Sequence, residues 1–356
     1  MSFHSLLHNF HNKFQSKMLR AVLTSAITLG GAMALAGTAA AGGHSKCGKV
    51  SLADMTWASA SLMANVDAFI LKEGYGCEAE IVPGDTIPTF TSMNEKGNPD
   101  VASELWINAV REPLFKAMSE GRLHSAVKGP ITGLGEGWWV TEKFAKDHPN
   151  LNTVEKVLAR PDLFPYAEDK SKGAFMGCPA GWGCQLTNAN LFRAFGMEKK
   201  GWVLVDPGSS AGLDGSIAKA SERGEAWFGY YWSPTAIIGK YNLQMLPFEA
   251  PFAGSDNWDG CMVKAEQDCD NPKPSSWTES EVHTVVTDEF KQKGGVALDY
   301  LSKRVWPGPV MNGMLVYMTE NQATGEDAAI EFLATKEDVW TKWVPADVAK
   351  KVKSAL

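Results

Sequence analysis

Past residue 41 the 356-residue sequence has no apolar run approaching the roughly 20 residues that a membrane span requires. Basic charge is also in short supply, since 34 Lys and Arg face 41 Asp and Glu for a formal charge of -7. A surface of that sign argues against nucleic acid as a partner. Histidine is scarce: after residue 41 there are only His44, His124, His148 and His283, and no H-E-x-x-H occurs. Metal-dependent hydrolysis therefore has no ligand set to build on. The cysteines include no C-x-x-C, which disfavours a zinc ribbon or a thioredoxin-like centre. No internal repeat of the kind that marks solenoids or propellers is present.

What is present begins with a leader. Lys13, Lys17 and Arg20 precede the apolar run AVLTSAITLGGAMALAG, which ends at Ala39-Ala40-Ala41. Residues 1-41 thus read as a secretory signal peptide with an A-x-A cleavage site, and the competing reading is a retained anchor. The segment ahead of the apolar core is long for a leader, which leaves both Met1 and Met18 open as the start. Removing three positive charges and no acidic ones takes the formal charge from -7 to -10. The remaining chain of roughly 315 residues exceeds what one core usually holds, which predicts two domains. All six cysteines follow the leader, and an exported chain with an even count favours disulfides. Proximity suggests Cys47 with Cys77, Cys178 with Cys184 and Cys261 with Cys269.

Hydrophobic patterning alternates between two periods. KVSLADMTW predicts a strand running into a loop. ASASLMANVDAFILKEGYG predicts an amphipathic helix with Leu62, Val66, Phe69 and Ile70 on one face, closed by Gly74. EAEIVPG predicts the next strand. The alternation recurs in PDVASELW then NAVREPLFKAMSEG, GEGWWV then two short helical stretches, KGAFMG then QLTNANLFRAFG, and KGWVLVDP then SIAKASERG. The fold class is therefore α/β with largely parallel sheets. Pro251 to Trp277 is rich in Asp, Asn, Pro and Ser and reads as a long loop, after which Asp288 to Trp343 returns to helical periodicity.

Thirteen tryptophans are unusual for this length, and four of them follow predicted strands: Trp57, Trp106, Trp182 and Trp232. In open α/β sheets ligands bind beyond the carboxyl ends of strands. Tryptophan faces attract cations, and quaternary ammonium groups, which carry no N-H, are recognised by cages of such rings. Core filling is the plain alternative for any one ring. It is weakest for Trp182 in GCPAGWGC, where glycines clear the neighbourhood and flanking cysteines suit a tied loop.

PGDTIPTFTSM, DVASELW, GEGWWV, GCPAGWGC and YYWSPTA together resemble the periplasmic substrate-binding proteins of ABC transporters for glycine betaine and related trimethylammonium solutes. The resemblance implies a two-lobe, type II-like periplasmic binding fold with two crossover segments and the ligand in the interlobe cleft. The expected limits are residues 42-140 and 248-356 for lobe one, which carries an acidic disulfide loop at 255-277, and residues 141-247 for lobe two. It implies Trp182 as a cage wall with the Gly183 and Cys184 N-H groups as donors to an anionic end, and Trp106, Trp232 and Trp57 as further walls. Trp138 or Trp139 would add another ring, with Trp139 preferred. It also implies a periplasmic, cofactor-free protein, monomeric by default, that delivers its solute to a separate permease in the inner membrane and an ATPase.

Glu136 bears on the choice of solute. A carboxylate repels the carboxylate of glycine betaine, whereas a protonated carboxyl donates to the oxide of trimethylamine N-oxide. That chemistry and the acidic loop resemble the N-oxide-binding members, with glycine betaine or choline as the alternative cargo and a solvated Glu136 as the plain one. The loop SDNWDGCMVKAEQDCDN gathers Asp256, Asn257, Asp259, Glu266, Asp268 and Asp270, hard oxygen donors suited to a structural Ca²⁺, although the EF-hand register is absent. A merely solvated acidic loop is the competing reading. Finally, Gly208-Ser209-Ser210-Ala211-Gly212 fits the G-x-S-x-G elbow of a secreted esterase with Ser210 as nucleophile. Pro207 interrupts its entry and His283 has no evident paired acid, which favours a helix-capping turn.

Overall fold

A computed structural model describes residues 47-356. The expected signal peptide and the choice between Met1 and Met18 lie outside the described residues. Along the chain run β1 (Lys49–Met55), β2 (Glu78–Gly84), β3 (Val101–Trp106), β4 (Leu123–Lys128), β5 (Gly135–Val140), β6 (Gly173–Met176), β7 (Trp202–Val205), β8 (Phe228–Ser233), β9 (Gln244–Met245) and β10 (Val282–Thr287). They form two five-stranded sheets, ordered β2-β1-β3-β10-β4 and β7-β6-β8-β5-β9. With helices packed on the sheets, the architecture is α/β in two lobes. No helix among the described residues is long and apolar enough to cross a membrane.

The two orders are the same order. In each sheet the first two strands of the lobe run parallel, the third joins parallel, and the strand that has just arrived from the other lobe inserts antiparallel: β10 between β3 and β4, β5 between β8 and β9. The sheets are therefore mixed, which corrects the expectation of largely parallel pairing. β10 is fully buried along VHTVVT, as a β-branched run in the middle of a sheet should be.

These insertions also move the lobe limits. Residues 135-140, expected in lobe one, form β5 of the second sheet, so the first crossing lies between Lys128 and Gly135. The acidic disulfide loop, also expected in lobe one, is fastened to lobe two. Asn190 Nδ2 donates to the carbonyls of Cys261, Met262 and Lys264, and Arg193 donates to that of Cys269. The second crossing is thus the stretch between Trp277 and Val282. Both crossings leave from neighbours, because Lys128 at the end of β4 pairs with His283 at the start of β10.

All three expected disulfides are present, Cys47–Cys77, Cys178–Cys184 and Cys261–Cys269. The helix Ala58–Phe69 continues through a wider turn to Gly74, where a side chain would meet Val348 at 2.7 Å. Trp306, Trp340 and Trp343 fill the core under the C-terminal helices.

Candidate functional site

The equivalence of the two sheets puts four tryptophans in equivalent places. Trp57 caps the helix that follows β1, and Trp182 caps Gly183–Ala194, the helix that follows β6. Trp106 ends β3, and Trp232 lies one residue before the end of β8. All four line one cavity, with about 440 Å³ of empty space including its mouth. The Trp57 and Trp182 rings meet edge to face at 5.4 Å and 74°, and Trp182 meets Trp232 at 5.0 Å and 84°. Perpendicular neighbours of this kind make the corner of a box.

Three of the indole N-H groups are committed to protein acceptors. Trp57 Nε1 and Trp106 Nε1 both donate to Glu104 Oε1, at 2.7 and 2.8 Å. Trp182 Nε1 donates across the cleft to Thr56 Oγ1 at 2.9 Å and Asp85 Oδ1 at 3.2 Å. Two of the three glycines of GCPAGWGC, Gly181 and Gly183, follow from that crossing. The Gly181 carbonyl accepts from Ile87 N, and a Cβ on Gly183 would stand 2.5 Å from the Cβ of Ala109. The third, Gly177, instead packs on Leu204 and Val205 of its own lobe. Gly183 and Cys184 also line the cavity and open their helix, so their N-H groups have no intrahelical partner.

Glu136 lines the same cavity and ties the lobes together. Its Oε1 accepts from Tyr230 Oη at 2.8 Å, and its Oε2 accepts from Asn108 Nδ2 at 2.9 Å and Ser280 Oγ at 3.1 Å. Burial pushes its pKa up from the ordinary carboxylate value, opposed chiefly by Tyr230, then Ser280, Trp277 and Asn108. Tyr230 stays a phenol, its pKa raised by burial and then by the Glu136 charge.

Trp139 is not part of this wall. Its ring is buried in lobe two with Nε1 donating to the Tyr231 carbonyl at 2.9 Å. Trp138 is deeper still, bonded to Asn188 and 4.5 Å from Phe175. Sequence reasoning missed Tyr230, Trp277, Asn108 and Thr86, all of which line the cavity. Tyr230 was findable, being two residues before Trp232 on one strand and so on the same face.

The acidic loop does not gather its donors. Both polar atoms of the Asn257 side chain bond the backbone of Lys273, and Glu266 pairs with Arg193 at 3.4 Å. Asp256, Asp268 and Asp270 are exposed, and Asp259 lies partly buried beside them. Among the described residues no three His, Cys, Asp or Glu side chains come together to hold a metal ion. The esterase elbow is not assembled either. Ser209 accepts from Gly212 N as the cap of Ser210–Arg223, while His283 is buried on β10 of the other sheet, bonded to Glu281.

Residues 48–335 match the substrate binding domain of ABC-type glycine betaine transport systems, and the chain belongs to that family. It is a substrate-binding protein of the kind that serves ABC transporters for small quaternary ammonium solutes. Among characterised relatives, it is 22% identical over 293 residues to the trimethylamine N-oxide-binding protein of Pelagibacter ubique (strain HTCC1062), covering 80% of this chain and 87% of that one. Its fold is shared with an ABC-transporter choline binding protein in complex with choline, at a TM-score of 0.66, 17% identity, and coverage of 87% and 98% of the two chains. Lactococcal OpuAC, closed around glycine betaine, gives a TM-score of 0.62 at 20% identity, with 83% and 99% covered.

Proposed function

We propose that this protein captures trimethylamine N-oxide in the periplasm and delivers it to the membrane permease of an ABC importer. Trp57 and Trp106 from lobe one and Trp182 and Trp232 from lobe two serve as the cage for the trimethylammonium group. Closure of the lobes assembles the cage, as hinge closure does in periplasmic binding proteins generally. The observation that carries the reading is the convergence of four tryptophan rings and a buried carboxyl group, Glu136, on one cavity. In its protonated form Glu136 would donate to the oxide, and the Gly183 and Cys184 N-H groups supply further donors. Each ring contributes roughly 0.5–2 kcal/mol of cation-π attraction, so four supply about 2–8 kcal/mol, and burial of the methyl groups and the hydrogen bonds to the oxide must supply the rest of the binding free energy. The 22% identical relative that binds trimethylamine N-oxide supports this choice of cargo.

Glycine betaine or choline is the second reading, supported by the family and by the two bound neighbours, and in it Glu136 is a bystander or faces a cation. A chemical step has no support at Ser210, and the protein is read as a carrier that turns nothing over. Calorimetric titration with trimethylamine N-oxide, glycine betaine and choline in parallel tests the proposal. Tight binding of the N-oxide above the others is expected. Preference for betaine keeps the cage and overturns the role of Glu136, and silence from all three overturns the cage.

A further inference from the structure

Behind the lobe-one walls sits Glu104, a buried residue on β3 that is 1% exposed and does not line the cavity. One oxygen of its carboxyl group, Oε1, accepts from three donors: Trp57 Nε1 at 2.7 Å, Trp106 Nε1 at 2.8 Å and Ser59 Oγ at 3.0 Å. Its Oε2 is buried with no partner. Every hydrogen-bonding neighbour of the group is thus a donor, and a proton on Oε2 would be a buried donor without an acceptor, which favours the carboxylate form. Burial raises its pKa, and the Trp57, Trp106 and Ser59 bonds and then the Arg304 charge oppose that rise. Arg304 makes its contacts elsewhere: its Nε pairs with Asp67 at 2.7 Å and its Nη2 donates to the Ser103 carbonyl and to Thr284 Oγ1.

Lobe two has no counterpart. The residue in the equivalent place, two before Trp232, is Tyr230, which lines the cavity itself. Trp182, the counterpart of Trp57, finds its N-H acceptors only on the opposite lobe. The lobe-one rings alone are anchored from within their own lobe, by one shared acceptor.

We propose that Glu104 is the positioning residue of the cage: it locks the planes of Trp57 and Trp106 before any solute arrives, and its negative charge on both indole N-H groups enriches the ring faces that meet the cation. A charge-assisted hydrogen bond is stronger than a neutral one and polarises the donor. Cation-π attraction is electrostatic, so electron density pushed into the ring strengthens it. The inference rests on the cage reading above and adds a residue that acts through two walls without touching the solute.

The test compares wild type with Glu104→Gln and Glu104→Ala, using tetramethylammonium as the probe because it has a cation and no anionic end. Gln keeps an acceptor and the shape but loses the charge, so its affinity should fall about 5- to 50-fold while near-ultraviolet circular dichroism is kept. Ala releases the rings as well and should fall further. Equal affinity of wild type and Glu104→Gln overturns the charge role. In ligand-free wild type, ¹⁵N-¹H spectra assigned with Trp57→Phe and Trp106→Phe should show both indole N-H signals downfield and protected from exchange. Fast exchange there overturns the brace even if neither Glu104 variant folds. Wild type that binds neither tetramethylammonium nor trimethylamine N-oxide sinks the cage reading instead, and leaves the indole spectra to judge the brace.

Discussion

Trp182 and Trp232 meet edge to face at 5.0 Å, so neither ring can be shaved without opening a corner of the box. Trp182→Ala and Trp232→Ala should each weaken trimethylamine N-oxide binding by about 10- to 100-fold, a loss of roughly 1.4–2.8 kcal/mol. Calorimetric affinities equal to wild type in both would remove the cage. Glu136 makes a separate prediction through its proton. Its pKa is raised by burial, so the proton is held at low pH and lost as pH rises through the shifted value. Binding of the N-oxide should therefore weaken with rising pH across that range, and Glu136→Gln, which keeps a donor but cannot titrate, should flatten the profile. A wild-type profile that is already flat would show that this carboxyl does not meet the oxide.

At the scale of elements, the loop Gly177 to Cys184 sets how closely the lobes approach. Gly183→Ala puts a methyl group 2.5 Å from Ala109 Cβ, at a helix position where alanine is otherwise well tolerated. Ligand affinity should drop at least about tenfold while the unfolding midpoint of the free protein moves little. A midpoint that falls with affinity unchanged would place the clash inside one lobe rather than between them. Much of this element structure was legible. The strands before Trp57, Trp106 and Trp182 announced themselves by apolar runs ending in loops, and GCPAGWGC by its own composition. β10 was not, because VHTVVT follows a long irregular stretch and its partners, β3 and β4, lie more than 150 residues earlier in the chain. The same non-local pairing misled the lobe limits, since nothing in GEGWWV says which sheet it will join. Trp139 was misplaced for a local reason. It neighbours Glu136 in sequence, but successive strand residues point to opposite faces, and its indole is taken by the Tyr231 carbonyl. A run of acids such as Asp256, Asp268 and Asp270 specifies charge and not convergence, and all three are exposed.

For the whole molecule, the interlobe contacts are a measure of closure. Besides the Trp182 bonds, Lys264 reaches Glu112 at 3.2 Å and Glu136 binds both Asn108 and Ser280. A compact chain of this size has a radius of gyration of about 20 Å. Small-angle scattering of the mature protein should give a larger value without solute and settle to about that figure on saturation. A radius indifferent to solute would mean that the lobes do not open. Trp182 then has a consequence for unloading. In the proposed cage its ring is a wall, and its N-H is bolted to Thr56 and Asp85 in the other lobe. Any force that draws the lobes apart slides that bolt and swings the wall in a single motion. A membrane partner that grips only the outer surfaces would empty the cage without ever touching what is inside it.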